Sequence, residues 1–167
     1  MTNRVELTVP VDVNAPAEAV WRTVTDWPGQ GDWMLGTRVE VVGEGDGRHL
    51  GAALRAVTGI GPLGVVDTME IVEWDPPKRC VVRHTGAVVK GDGVFEVVEL
   101  GPERARFLWS ELLDLPLGPL GRAGWPLVRP AFRAGVEASL RKMARQCEKE
   151  YRREKEYRRD QGRPRGV

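Results

Sequence analysis

Cysteine, histidine and serine are scarce in this chain, and each scarcity removes a class of chemistry. Cys80 and Cys147 are the two cysteines, far apart and without a CxxC spacing, and His49 and His84 are the two histidines. That supply supports neither a disulfide framework nor a zinc site, so no metal is expected. Ser110 and Ser139 are the only serines, and neither sits in GxSxG, which argues against a serine hydrolase. GEGDG at 43–47 lacks the lysine of a phosphate-binding loop, no dinucleotide fingerprint precedes a crossover helix, and iron–sulfur and haem motifs are missing. No cofactor is implied. Nowhere do eighteen apolar residues run without a charge, and the MTNRVELTV start has no apolar signal core. A soluble, cytoplasmic chain without a transmembrane segment is the expectation.

What is present fits one domain. At 167 residues and 41% hydrophobic content the chain can close a single core. The net charge of +1 conceals an asymmetry: residues 1–128 carry −6, and residues 129–167 carry +7. The basic end, EKEYRREKEYRRDQ, interleaves both signs at helical spacing, as a solvated helix face with i,i+4 pairs does. The other reading is attraction to nucleic acid or an anionic membrane. Without interleaved stacking aromatics the pattern argues against nucleic acid and leaves a peripheral membrane contact open. The oligomeric state is not legible.

Hydrophobic periodicity divides the chain into elements. RVELTVPVDV at 4–13 alternates strictly, with Val5, Leu7, Val9, Val11 and Val13 on one face, and predicts a half-buried strand. NAP then opens a short helix over about 16–26, carrying Val20, Trp21 and Val24 on one side, and WPGQGD stops it. A second short helix is expected to carry Trp33. From Thr37 to Asp114, runs rich in Val, Ile and Thr predict six strands at about 37–43, 51–58, 65–74, 79–88, 93–100 and 104–114, joined by separators short enough for antiparallel hairpins. Finally Val128, Phe132, Val136, Leu140, Met143, Cys147 and Tyr151 form one apolar stripe on a helix predicted over about 126–158. Its end is expected to protrude or fray, with RRDQGRPRGV disordered. A sheet with one apolar face must be covered, and this helix is the only element long enough to do so.

The order of these elements, with VDVNAPAEAVWRTVTDWPGQGDWM near the start, EIVEWDPPKR midway and ARFLWSELLDLP before the last helix, resembles the START-like, helix-grip (SRPBCC) superfamily. Within it the similarity is to the polyketide cyclase/dehydrase and lipid transport branch, over about residues 4–148. The resemblance implies an α+β helix-grip fold: a seven-stranded curved antiparallel sheet around a long C-terminal helix, with two short helices after the first strand. It assigns residues 1–148 to a ligand-binding domain and 149–167 to a basic helical extension and tail. It also implies a deep apolar cavity for a lipid, polyketide or other hydrophobic molecule, and in some members cyclase-type chemistry.

Strand faces select candidate residues for such a cavity. On 104–114, Ala105, Phe107, Trp109, Glu111 and Leu113 share a face, so if Phe107 and Trp109 look inward Glu111 does too. A carboxylate there must be paired, hydrogen-bonded, wet or protonated. It is either a structural pair or an acid/base or anchoring group. His84 alternates inward with Cys80 and Val82; it is either a satisfied structural histidine or a proton-transfer group. On 65–74 the face bearing Asp67, Met69 and Ile71 is assigned to the cavity, leaving Trp74 on the other, and Arg55 is placed as a countercharge if its face turns in. The candidates are therefore Glu111 and His84 for acid/base work, and Trp109, Phe107, Phe95, Met69, Asp67, Arg55, Trp33, Phe132 and Val136 for ligand contact. Binding or carriage of an apolar molecule, with a cyclase or aromatase as its enzymatic form, is the leading expectation. The alternative is a chaperone-activator-like interaction module using the basic helix and the two GPLG loops at 61–64 and 118–121.

Overall fold

The computed structural model describes residues 4–59, 64–87, 89–115 and 119–161. Seven strands run β1 (Arg4–Val13), β2 (Thr37–Val42), β3 (Ala53–Thr58), β4 (Val65–Asp75), β5 (Arg79–His84), β6 (Gly91–Gly101) and β7 (Arg104–Asp114). They form one antiparallel sheet in the order β1-β7-β6-β5-β4-β3-β2. The six later strands make a continuous meander, and β1 closes onto its last member with Val9 opposite Trp109. The helix-grip architecture is confirmed, with α1 (Ala17–Val24) and the long α2 (Pro119–Gln161) on the sheet's concave side.

Short local interactions hold the first connection. Pro16 is the residue before α1 rather than inside it, and Val20, Trp21 and Val24 are buried. After α1 the PGQGD segment does not merely break the helix. Pro28–Asp32 wind into a 3-10 helix, which is the expected second short helix, with Trp33 at its C-terminal end instead of within it. The buried Gln30 amide donates to the Val24 carbonyl at 2.7 Å, and Arg48 Nε donates to the Thr25 carbonyl at 3.2 Å. Carbonyls orphaned at the end of α1 are thereby satisfied.

One face assignment is corrected by a bulge. Ile71 pairs with Val82, yet Glu73 pairs with Val81 and Trp74 with Cys80, so β4 carries one extra residue. The extra residue reverses the alternation, and Trp74 turns to the same side as Ile71 instead of the opposite one. There it meets Trp21 at 5.2 Å and Trp27 at 6.4 Å between ring centroids. Trp27 continues to Phe95 at 6.3 Å, and Phe95 to Phe107 and Trp109. The aromatics thus form a connected band across the sheet.

α2 begins at Pro119, seven residues before its expected start, and contains Pro126 and Pro130 in its first turns. Its buried stripe runs through Val136, Leu140, Met143, Ala144 and Cys147, with Phe132 and Tyr151 partly buried. Val128, expected on that stripe, is 58% exposed. The far end does not hang free. Glu148 accepts from the backbone and side chain of Asn14, Glu154 pairs with Arg22, and Tyr151 and Lys155 both reach Glu103. The first GPLG segment lies outside the described residues over 61–63, as do Gly118 and the tail at 162–167, whereas Pro119–Gly121 of the second segment form the first turn of α2 instead of the expected loop.

Met143 is fully buried between α2 and the sheet. Met143→Ala is expected to lower the unfolding free energy by about 2–5 kcal/mol through lost transfer energy and the cavity left behind. Urea denaturation measures this, and a loss under about 1 kcal/mol would show that α2 is not part of the core.

Candidate functional site

The helix and the sheet do not fill the space between them. A cavity of about 470 Å³ remains, walled by Trp27, Phe95 and Trp109 from the aromatic band, Leu54 and Met69 from β3 and β4, and Phe132 and Val136 from α2. Its lining is mainly apolar. At one place the wall is ionisable: Asp67 of β4, His84 of β5 and Glu111 of β7 all face the interior.

These three groups form one cluster. His84 Nδ1 lies 2.6 Å from Asp67 Oδ2, and His84 Nε2 lies 3.4 Å from Glu111 Oε2. The second approach is an ion pair without hydrogen-bond geometry. Trp109 donates its indole N–H to Glu111 Oε1 at 2.6 Å, fixing the carboxyl from two residues away on the same face. Side-chain exposure is 8% for His84 and 12% for each carboxyl group, so little water competes. Burial alone would push the imidazole pKa down, but the hydrogen bond to Asp67 and the adjoining Glu111 charge outweigh it and raise His84 to about 9. Nδ1–H therefore donates to Asp67, and Nε2 also carries a proton near neutral pH. His84 Nε2, Glu111 Oε2 and Asp67 Oδ1 are buried and have no hydrogen-bond partner among the described residues.

Glycines explain how strands two apart can share a cluster. β6 lies between β5 and β7, and where their side chains lean together it has Gly91 opposite His84 and Gly93 opposite Glu111. A Cβ on Gly93 would sit 3.0 Å from Val82 Cγ2 and 3.5 Å from Glu111 Oε1. A Cβ on Gly91, whose φ is +123°, would fall 2.0 Å from the Leu112 carbonyl oxygen. The missing side chain at Gly93 leaves a trough in which Glu111 reaches toward His84, while Gly91 lets the two backbones approach. Sequence reasoning placed Gly91 in the VKGD separator and began the strand at Gly93, and missed this; glycine inside a strand was the available signal.

The other candidate residues separate into two groups. Trp109, Phe95, Met69, Asp67, Phe132 and Val136 line the cavity beside His84 and Glu111. Three do not. Arg55 points to the outer face and pairs with Glu40 at 3.1 Å, because β3 turns Leu54 and Ala56 inward. Trp33 is buried behind the wall, edge-on to Trp109 at 6.4 Å, and Phe107 is buried behind Phe95 at 5.4 Å. Both rings support the lining without forming it. Leu54, Val39, Val82 and Ser139 line it and were not singled out from sequence. Cys80 offers no nucleophile: burial, helped by the Glu73 charge, pushes its thiol up to about 12. Among the described residues no group of three or more His, Cys, Asp or Glu is arranged to hold a metal ion, and no helix is long and apolar enough to cross a membrane.

Comparison with known proteins agrees with this architecture. The model of the family described as polyketide cyclase / dehydrase and lipid transport matches residues 4–148. No curated protein matches the chain in sequence. Among solved structures, the Zhui aromatase/cyclase from Streptomyces sp. R1128 is similar at TM-score 0.69 and 20% identity, covering 87% of this chain and 94% of that one. Norcoclaurine synthase from Thalictrum flavum is similar at TM-score 0.64 and 18% identity, covering 90% and 98%. A START superfamily protein from Mycobacterium smegmatis follows at TM-score 0.60 and 18% identity, covering 89% and 97%. At these identities the likeness establishes the fold.

Two outcomes follow from the cluster. Because the folded pKa of His84 is raised from 6.5, its contribution to stability is complete below about pH 6.5 and is lost as pH rises through about 9. The difference in thermal midpoint between wild type and His84→Gln should therefore be largest near pH 6 and shrink by about pH 10; a constant difference would contradict the assigned charge. Gly93→Ala should displace the Glu111 carboxyl, cost about 1–3 kcal/mol by overpacking, and bring the His84 titration down toward the ordinary range. An unmoved titration would show that the trough does not position Glu111.

Proposed function

The chain belongs to the polyketide cyclase / dehydrase and lipid transport family, and from that premise we propose that it binds a lipid- or polyketide-like hydrophobic molecule in the cavity and performs cyclase- or aromatase-type acid/base chemistry there. The observation that carries the reading is the meeting of an apolar cavity of about 470 Å³ with the Asp67–His84–Glu111 cluster in one wall. A site serving carriage alone has no need of three ionisable groups. Removing them from water is costly, and such groups concentrate where a reaction uses them.

The geometry supports a division of roles. Asp67 holds Nδ1–H and orients the ring, and Nε2–H, beside Glu111 in the cavity wall, is the acid. Glu111, steadied by the Trp109 indole, is the base. His84 gives a proton to a substrate oxygen as Glu111 removes one from a neighbouring carbon. These transfers leave a neutral imidazole beside a neutral carboxyl, and return of the proton from Oε2 to Nε2 restores both. The apolar walls fold the substrate against this pair and exclude water, so orientation supplies much of the rate.

Purified protein should bind the uncharged fluorophore N-phenylnaphthylamine saturably, and solvent extraction followed by mass spectrometry should recover co-purified apolar molecules. Val136→Trp places a ring in the cavity and should weaken fluorophore binding by about tenfold or more, with an unchanged far-ultraviolet circular dichroism spectrum. Absence of saturable binding by the folded wild type would overturn the reading.

A further inference from the structure

Resting on the cavity-binding reading, we infer that the ligand is an uncharged apolar molecule bearing a free hydroxyl, and that this hydroxyl sits between His84 Nε2 and Glu111 Oε2. Three buried atoms of the cluster have no hydrogen-bond partner among the described residues: a donor, Nε2, and two acceptors, Glu111 Oε2 and Asp67 Oδ1. The rest of the cluster's hydrogen bonding is taken. Nδ1 is engaged by Asp67 Oδ2, and Glu111 Oε1 by the Trp109 indole. Nε2 and Oε2 stand 3.4 Å apart, covered in the cavity wall, so a ligand oxygen comes to about 2.8 Å from both by parting the two side chains from the cavity side.

The chemistry of that position discriminates among ligands. A hydroxyl donates once and accepts through its lone pairs, so it takes the Nε2 proton and gives its own to Oε2. An ammonium only donates and leaves Nε2–H unpaired against a cation. A carboxylate only accepts; it leaves both acceptor oxygens unpaired and adds negative charge beside two carboxyl groups that share one imidazolium. An ether satisfies Nε2 but not Oε2, and an unpaired buried acceptor is costly. The site therefore selects against fatty-acid anions even though its walls are apolar. Trp109, Phe95 and Phe132 around the position present ring surfaces suited to a flat, unsaturated skeleton.

Displacement of N-phenylnaphthylamine at neutral pH by three compounds of one skeleton tests this. 2-Naphthol should bind about tenfold more tightly than 2-methoxynaphthalene, although the ether is the more apolar, and 2-naphthoate should bind more weakly than the ether. In Glu111→Leu, which removes the acceptor, the advantage of the naphthol over the ether should fall below about threefold. In Glu111→Gln, which keeps the shape and removes the charge, naphthoate should gain about tenfold. The ether or the naphthoate equalling or exceeding the naphthol in wild type would overturn the inference and leave cavity binding standing. No saturable binding of the fluorophore by folded wild type would remove both readings together.

Discussion

The structure depends on a charge balance held out of water. Asp67, His84 and Glu111 come from three strands and share one patch of an otherwise apolar wall. None could occupy that place alone, because an isolated buried charge either neutralises or destabilises the fold. Together the two carboxyl groups hold the imidazole protonated, and the imidazolium holds them close to each other. The incomplete hydrogen bonding that remains is the chemical signature of the site.

Packing elsewhere serves this arrangement. The aromatic band from Trp21 through Trp74, Trp27 and Phe95 to Trp109 fills one part of the interior, with Trp33 and Phe107 as backing. Leu140, Met143 and Cys147 of α2 seal the core beyond it. Toward the other end the helix presents Ala131, Phe132, Gly135, Val136 and Ser139 to the cavity, and the sheet has small or polar groups there at Ala56 and Thr58. Large side chains thus close one part of the space and small ones leave the other open. A basic terminal segment that reads as a free arm is partly tied down, since Tyr151, Glu154 and Lys155 bond within the chain.

Much of this was legible in the sequence because it rests on period-two alternation. Leu7, Val9 and Val13 on β1, and Phe107, Trp109 and Glu111 on β7, declare their common faces directly, and both sets turn inward. The failures come where local pattern and tertiary geometry part. The β4 bulge has no residue signature, so Trp74 reads as outward. Arg55 sits in a strand whose two faces are both mixed, and only pairing with neighbours decides its direction. Pro126 reads as the start of α2 and the turns before it as loop, whereas the helix begins at Pro119 and runs through Pro126 and Pro130. Gly91 reads as part of a separator and Gly93 as the first residue of a strand, because close approach of a neighbouring strand leaves no mark in the local pattern.

The protonation of His84 measures the central balance most directly. With the ring nitrogens labelled by 15N, both should show the shifts of protonated imidazolium nitrogens at neutral pH, with deprotonation centred near pH 9. A neutral ring with an unprotonated Nε2 at pH 7 would contradict the account, because neither the acid nor the hydroxyl seat could then exist as described.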